Sequence, residues 1–332
     1  MISPSQKNGL VGIRPTVGLV SRHLVVPISV RQDTVGPLAR SVKDAAYVLE
    51  AIAGKDQRDN YTSAIPFRTI PKYSAACMHG GLKGKRIGVP RNVLDSQLPS
   101  FVEQFNTALD VMRQAGATII DDANFTALNE YDQSEVPELV MGADGLANIE
   151  EYMSELTVNP YNLSKLADIR DFTRKFPLEE YPYRDTGTWD RTIETGIYNT
   201  DPRFWPLYQE NLRMAGPGGI LGALKNYKLD ALVMPAEDSY NFPCIIGSPV
   251  VSVPLGAWPE GTNITKPYRL PWTAPGIPIG IGFAGDFWTE EELIGMAYDF
   301  EQRTRARDNL KHYPGSEPTV DLQDILDNKK KG

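Results

Sequence analysis

Apolar residues recur along this chain in two rhythms, one helical and one of short uninterrupted runs. Val42, Ala45, Ala46, Leu49, Ile52 and Ala53 are spaced as one helix face, with Ser41 at the N-cap position and Gly54 as the stop. Phe101, Phe105, Leu109 and Met112 predict a second helix over about residues 100–115, ended by Gly116. Short apolar runs bounded by turn residues predict buried strands over 86–90, 117–120, 228–235, 247–255 and 276–283. Residues 9–22 set Gly9, Gly12, Gly18 and Pro15 among β-branched positions, which predicts short buried strands joined by tight turns. Helical pieces are predicted at 138–156 and 163–175. A last helix opens at Thr289, with Glu292 in capping-box spacing and Leu293, Met296, Ala297 and Phe300 on its buried side. The strand–helix–strand order over 86–120 favours a sheet covered by helices.

Composition narrows the class further. The 332 residues are 41% hydrophobic and 23% charged, as in ordinary globular chains. The formal charge is −8, without the clustered basic face that a nucleic-acid backbone requires, so no nucleic-acid partner is expected. The one block of like charge, Lys329-Lys330-Lys331, reads as a solvated tail. No apolar run approaches the ~20 residues of a membrane span, and no signal peptide is evident; localisation is undetermined, with the cytoplasm favoured. Cys77 and Cys244 are too few for a disulfide framework, and His23, His79 and His312 are too scattered to ligate a metal. Neither a metal nor a cofactor is expected. His79-Gly80-Gly81 and Gly216-Pro-Gly-Gly219 read as turns, and no Gly-x-Ser-x-Gly elbow occurs. The region from about 124 to 212 is aromatic, acidic and irregular, its aromatics read chiefly as packing groups.

Two long motifs carry a family resemblance. Gly9-Leu-Val-Gly-Ile-Arg-Pro-Thr-Val-Gly-Leu-Val-Ser-Arg22 resembles the segment that follows the nucleophile in the amidase signature family. Val26-Pro-Ile-Ser-Val-Arg-Gln-Asp-Thr-Val-Gly-Pro-Leu-Ala-Arg-Ser41 is similar to that family's next landmark. Leu82-Lys-Gly-Lys-Arg-Ile-Gly-Val-Pro90, Lys228-Leu-Asp-Ala-Leu-Val-Met-Pro235, Gly247-Ser-Pro-Val-Val-Ser-Val-Pro-Leu255 and Trp288-Thr-Glu-Glu-Glu-Leu293 follow in the family's order. The resemblance runs from Gly9 to about Arg305.

The resemblance implies an α/β fold with an open mixed β-sheet flanked by helices, and hydrolysis of the carbon–nitrogen bond of a small linear amide. The family uses a nucleophilic Ser relayed through a second Ser to a neutral Lys. A hydroxyl needs such a base, and burial suppresses the charge on the Lys. Aligning the family's Gly-Gly-Ser-Ile-x-x-Pro run on Pro4 puts the nucleophile immediately before Met1, with relay and base further upstream. The expectation is therefore an N-terminally truncated amidase signature domain that lacks its catalytic residues and is inactive as given. The alternative is a non-catalytic remnant that binds a ligand or partner. Ser3 lies beside the nucleophile slot without an oxyanion loop and is read as non-catalytic. Gln32, Asp33 and Thr34 are the candidate substrate-binding or site-supporting residues, with a competing reading of Asp33 as a turn aspartate that satisfies loop amides. Residues 1–122 are expected to form core sheet and helix, and 123–215 a variable aromatic helical insert. Residues 216–310 supply core strands and the closing helix, and 311–332 the tail. Loss of an N-terminal layer would expose strand edges and apolar surface, so poor solubility is expected. Substrate and oligomeric state are not readable.

Overall fold

The computed structural model describes residues 1–267 and 270–311, so His312 and the predicted lysine tail lie outside the described residues. Seven strands form one sheet: β1 (Val11–Arg14), β2 (Leu38–Ala39), β3 (Arg86–Gly88), β4 (Thr118–Ile120), β5 (Ala231–Pro235), β6 (Val250–Ala257) and β7 (Pro278–Ala284). Their order across the sheet is β2-β1-β6-β7-β5-β3-β4. Strand β3 runs parallel to β4 and β5, as the predicted β-α-β unit requires, and the remaining pairs are antiparallel. The sheet is open and mixed, with helices packed against it.

The centre is β6 and β7, paired from Val250↔Ala284 to Ala257↔Pro278. Pairing of β1 to β6 ends at Ser252, so Pro254 falls where β6 has a neighbour on one side only and a missing N–H is tolerated. The ladder slips between Pro254 and Gly256, a bulge that bends the strand there. Val250, Val251, Val253, Ile281, Phe283 and Ala284 are all buried, and the last helix, Glu290–Thr304, places Leu293, Met296, Ala297 and Phe300 in the same core.

Local chemistry explains the helices that the apolar spacing predicts. Ser41 Oγ accepts the Asp44 N–H at 3.1 Å and caps the helix Val42–Ile52, which buries Val42, Ala45, Ala46 and Leu49. The helix Pro99–Gln114 buries Phe101, Phe105, Leu109 and Met112 and ends at Gly116, whose φ of +94° suits a residue without Cβ. The middle of the chain folds as Val136–Glu155, Leu166–Lys175, Gly187–Thr195 and Phe204–Ala215.

Three local expectations need correction. Only one strand, Val11–Arg14, forms within 9–22, and residues Ile2–Lys7 ahead of it are helical. The expected 247–255 strand begins later, at Val250, because Asn241–Ile246 is a helix that Gly247 ends at φ +86°. Thr289 does not form a capping box. Its Oγ1 donates to Asp286 O at 2.7 Å, while the fully buried Glu290 turns inward to accept the Thr16 N–H at 2.7 Å. Glu292, the expected box partner, instead accepts Lys85 Nζ at 2.6 Å.

Candidate functional site

The first residues of the chain meet the centre of the sheet. Ser5 Oγ donates to Ile2 O at 2.8 Å and lies 3.1 Å from Ser252 Oγ, which seats the Ile2–Lys7 helix on β1 and β6. Gly12 makes this possible, since a Cβ there would stand 2.4 Å from Ser5 Oγ. Met1 is held against Gly36, where a Cβ would come within 2.8 Å of its sulfur. Beneath it Arg14, 3% exposed, donates to Ser248 O and Gln32 O, both at 2.7 Å. Burial, with Arg14 nearby, holds the Met1 amino group below its usual range, and Cys244 opposes the shift. Two hydroxyls of this neighbourhood, Thr34 Oγ1 and Ser248 Oγ, are buried without a hydrogen-bond partner among the described residues. An unpaired buried polar atom costs about 1–3 kcal/mol, so each is a point where a further group could bond.

The loop that carries Gln32, Asp33 and Thr34 is fixed from several sides. The Asp33 carboxylate accepts the N–H groups of Ile28 and Ser29 at 2.8 and 3.0 Å, as a turn aspartate does. Burial raises the Asp33 pKa, against those two bonds. Gln32 contributes its backbone carbonyl to Arg14. The three residues thus share one loop but act differently: a carbonyl, a turn anchor and an unpaired hydroxyl. The loop is tied to the helix Val136–Glu155 through Asp144, which is fully buried. Asp144 accepts Ser29 Oγ at 2.7 Å and Asn199 Nδ2 at 2.9 Å and pairs with Arg31.

A second polar centre lies at the end of β5. The Glu237 carboxylate accepts Ser3 Oγ at 3.1 Å, Gln6 Nε2 at 3.1 Å and Tyr240 OH at 3.2 Å, with Lys7 Nζ at 3.9 Å. Lys7 in turn lies 4.0 Å from the centre of the Trp272 ring. Ser3 is therefore an anchor of the N-terminal helix. Burial pushes the neighbouring Asp238 carboxyl up to about 7, helped by the charge of Glu237. Asp238 lines a cavity of about 200 Å³ with Tyr131, Asp132 and Phe242. A larger cavity, of about 490 Å³, lies on the outer side of the 22–33 loop, between Arg22, Asp59 and Tyr61 and the helix residues Asn148, Glu151 and Tyr152. Burial pushes the Cys77 thiol up to about 11, which keeps it protonated and unreactive at neutral pH. Among the described residues no group of three or more His, Cys, Asp or Glu is placed to hold a metal, and no helix is long and apolar enough to cross a membrane.

The sequence profile of the Amidase family matches residues 2–294. The chain belongs to the amidase family. A "Putative amidase" of Arthroderma benhamiae is 53% identical over 328 residues, 98% of this chain and 55% of that protein. A "Probable amidase" of Arabidopsis thaliana is 30% identical over 92% of this chain and 55% of its own length. Among solved structures, the peptide amidase of Stenotrophomonas maltophilia superposes with a TM-score of 0.79 at 33% identity, covering 94% of this chain and 61% of that one. This amidase chain spans about half the length of the curated relatives it matches.

Within the amidase fold, sequence motifs led to the loop at Gln32–Thr34 but not to Glu237, Asp144 or Asn148. Glu237 meets Ser3 across 234 positions and Asp144 meets Ser29 across 115, so no local pattern marks them. The signal that was available lies in Lys228-Leu-Asp-Ala-Leu-Val-Met-Pro235. The strand it predicts delivers Glu237 and Asp238 to the sheet's end.

Proposed function

We propose that this chain forms the sheet and pocket side of an amidase signature hydrolase that cleaves the carbon–nitrogen bond of a linear amide, and that the Ser-Ser-Lys set is not among its 332 residues. On its own the chain is then inactive. The observation that carries the reading is the junction at Met1, Arg14 and Gly36. There the segment resembling the one after the family's nucleophile is held rigidly by Arg14, beside two buried hydroxyls, Thr34 Oγ1 and Ser248 Oγ, that lack partners among the described residues. Gln32, Asp33 and Thr34 support the site: Asp33 shapes the loop, Gln32 O receives Arg14, and the Thr34 hydroxyl is open to a bond from the reactive segment.

The test is a fusion. The part of the Arthroderma benhamiae relative that lies ahead of its matched region is joined in front of Met1, and ammonia release from small peptide amides is followed. The fusion is expected to hydrolyse them and the unfused chain to release none. A folded but inert fusion would contradict the reading.

A further inference from the structure

Polar bonds, more than apolar burial, hold the Ile2–Lys7 helix in place. Its six residues are far fewer than a helix needs to hold itself in water, and Ile2 is the one apolar side chain it buries. Ser3, Gln6 and Lys7 stand at helical spacing on one face and all turn to Glu237. The Glu237 carboxylate accepts Ser3 Oγ and Gln6 Nε2, both at 3.1 Å, with Lys7 Nζ at 3.9 Å. Ser5, two positions on from Ser3 and so across the helix from it, meets Ser252 Oγ of β6 at 3.1 Å. The helix is therefore gripped from two sides, which fixes its rotation as well as its position. The base of the grip is firm. Glu237 lies two residues past β5, in a turn where the Ala236 N–H donates to Gly280 O and the Asp238 and Ser239 N–H groups donate to Pro235 O, each at 3.0 Å. Tyr240 OH donates to the same carboxylate at 3.2 Å and steadies it.

We infer that Glu237 is a positioning residue for the hydrolase: through Ser3, Gln6 and Lys7 it sets where the residue immediately ahead of Met1 stands. In the reading above that residue is the nucleophile, so the inference rests on the hydrolase reading. Glu237 acts through the helix and touches no reacting atom. Its loss should therefore slow the chemical step and spare substrate binding, since a misplacement of about 1 Å can cost about 10²-fold in rate.

Two measurements test it. In the 332-residue chain, Glu237→Ala should speed amide exchange at Ser5, Asn8, Gly9 and Leu10, whose N–H groups bond within the segment, and leave β6 and β7 unchanged. In the fusion described above, the same substitution should lower kcat on small peptide amides about ten- to a hundredfold, with KM changed less than about threefold. Titration of reactive serine with a fluorophosphonate corrects kcat for any unfolded fraction. Glu237→Gln sets a donor against Gln6 Nε2 and should also lower kcat. Adding Gln6→Glu exchanges donor and acceptor across that pair and should recover most of the loss, which a general weakening of the fold would not allow. Exchange unchanged by Glu237→Ala overturns the inference whatever the fusion does. In an active fusion, an unchanged kcat, a rise in KM alone, or no recovery in the double variant overturns it as well. A folded fusion that is inert with Glu237 intact counts against the hydrolase reading, while exchange still judges the grip on the helix.

Discussion

The centre of the sheet and its β1–β2 end differ in how completely the described residues finish them. Around β5, β6 and β7 the side chains are sealed: Val233, Val250, Val251, Ile281 and Phe283 are fully buried, and Phe300 closes over them from the last helix. At the β1–β2 end, the edge strand is two residues long and Leu38 on it is exposed. The adjoining helix turns Tyr47, Val48 and Ile52 outward, and the 24–28 loop exposes Leu24, Val25, Val26 and Ile28. The same region holds the unpaired hydroxyls of Thr34 and Ser248 near Met1. A finished core hides its apolar side chains; the β1–β2 end leaves several in the open, and its surface has the character of an interface. The comparison teaches that the centre supplies stability, while the β1–β2 end is where we propose that the site forms.

That contrast can be broken by substitution. Phe283→Ala in the sealed centre should cost about 3–5 kcal/mol, the range for deleting a buried aromatic ring, read from denaturant midpoints. Asp144→Ala removes the fully buried carboxylate shared by Ser29, Arg31 and Asn199, and should cost about 2–3 kcal/mol as charged hydrogen bonds are lost. Its more specific signature is faster amide exchange at Ile28, Ser29 and Val30 than in the strands, because the loop loses its tie to the helix.

The pH dependence sharpens the comparison at the end of β5. Burial lifts Asp238 to about 7 from its ordinary 3.8. A carboxyl raised in the folded state contributes stability that is whole below the unfolded value and is lost as the pH climbs through the folded one. Stability should therefore fall between about pH 4 and pH 7, and Asp238→Asn should flatten that slope. Denaturant midpoints across the range measure it, and an unchanged slope would remove Asp238 as the cause. The smallest effect is expected at the open end, where Tyr47→Lys with Val48→Gln should shift stability within about 0.5 kcal/mol, as surface changes do. The same pair should raise the concentration at which the chain stays monodisperse, read by light scattering.

What the sequence disclosed follows the range of the interactions. The helices Val42–Ile52 and Pro99–Gln114 were legible because their apolar spacing, the Ser41 cap and the Gly116 stop are all local. The strand order β2-β1-β6-β7-β5-β3-β4 was not, since pairing of β1 with β6 joins residues more than 230 positions apart. Thr289 shows the limit of local rules. It has the residue type and spacing of a capping box, yet its hydroxyl turns to Asp286 O and Glu292, the box partner, takes the distant Lys85. For the site, motif order pointed to the Gln32–Thr34 loop, but the Arg14 bridge and the Asp144 tie exist only once β1 and the 136–155 helix are packed.

The proposal that the reactive set lies outside these residues is tested most directly by active-site labelling. The purified 332-residue chain is exposed to a fluorophosphonate serine reagent, native and heat-unfolded, and read by intact mass. No native-state label above the unfolded control is predicted. Stoichiometric labelling that unfolding abolishes, mapped to a serine within the chain, would contradict the account.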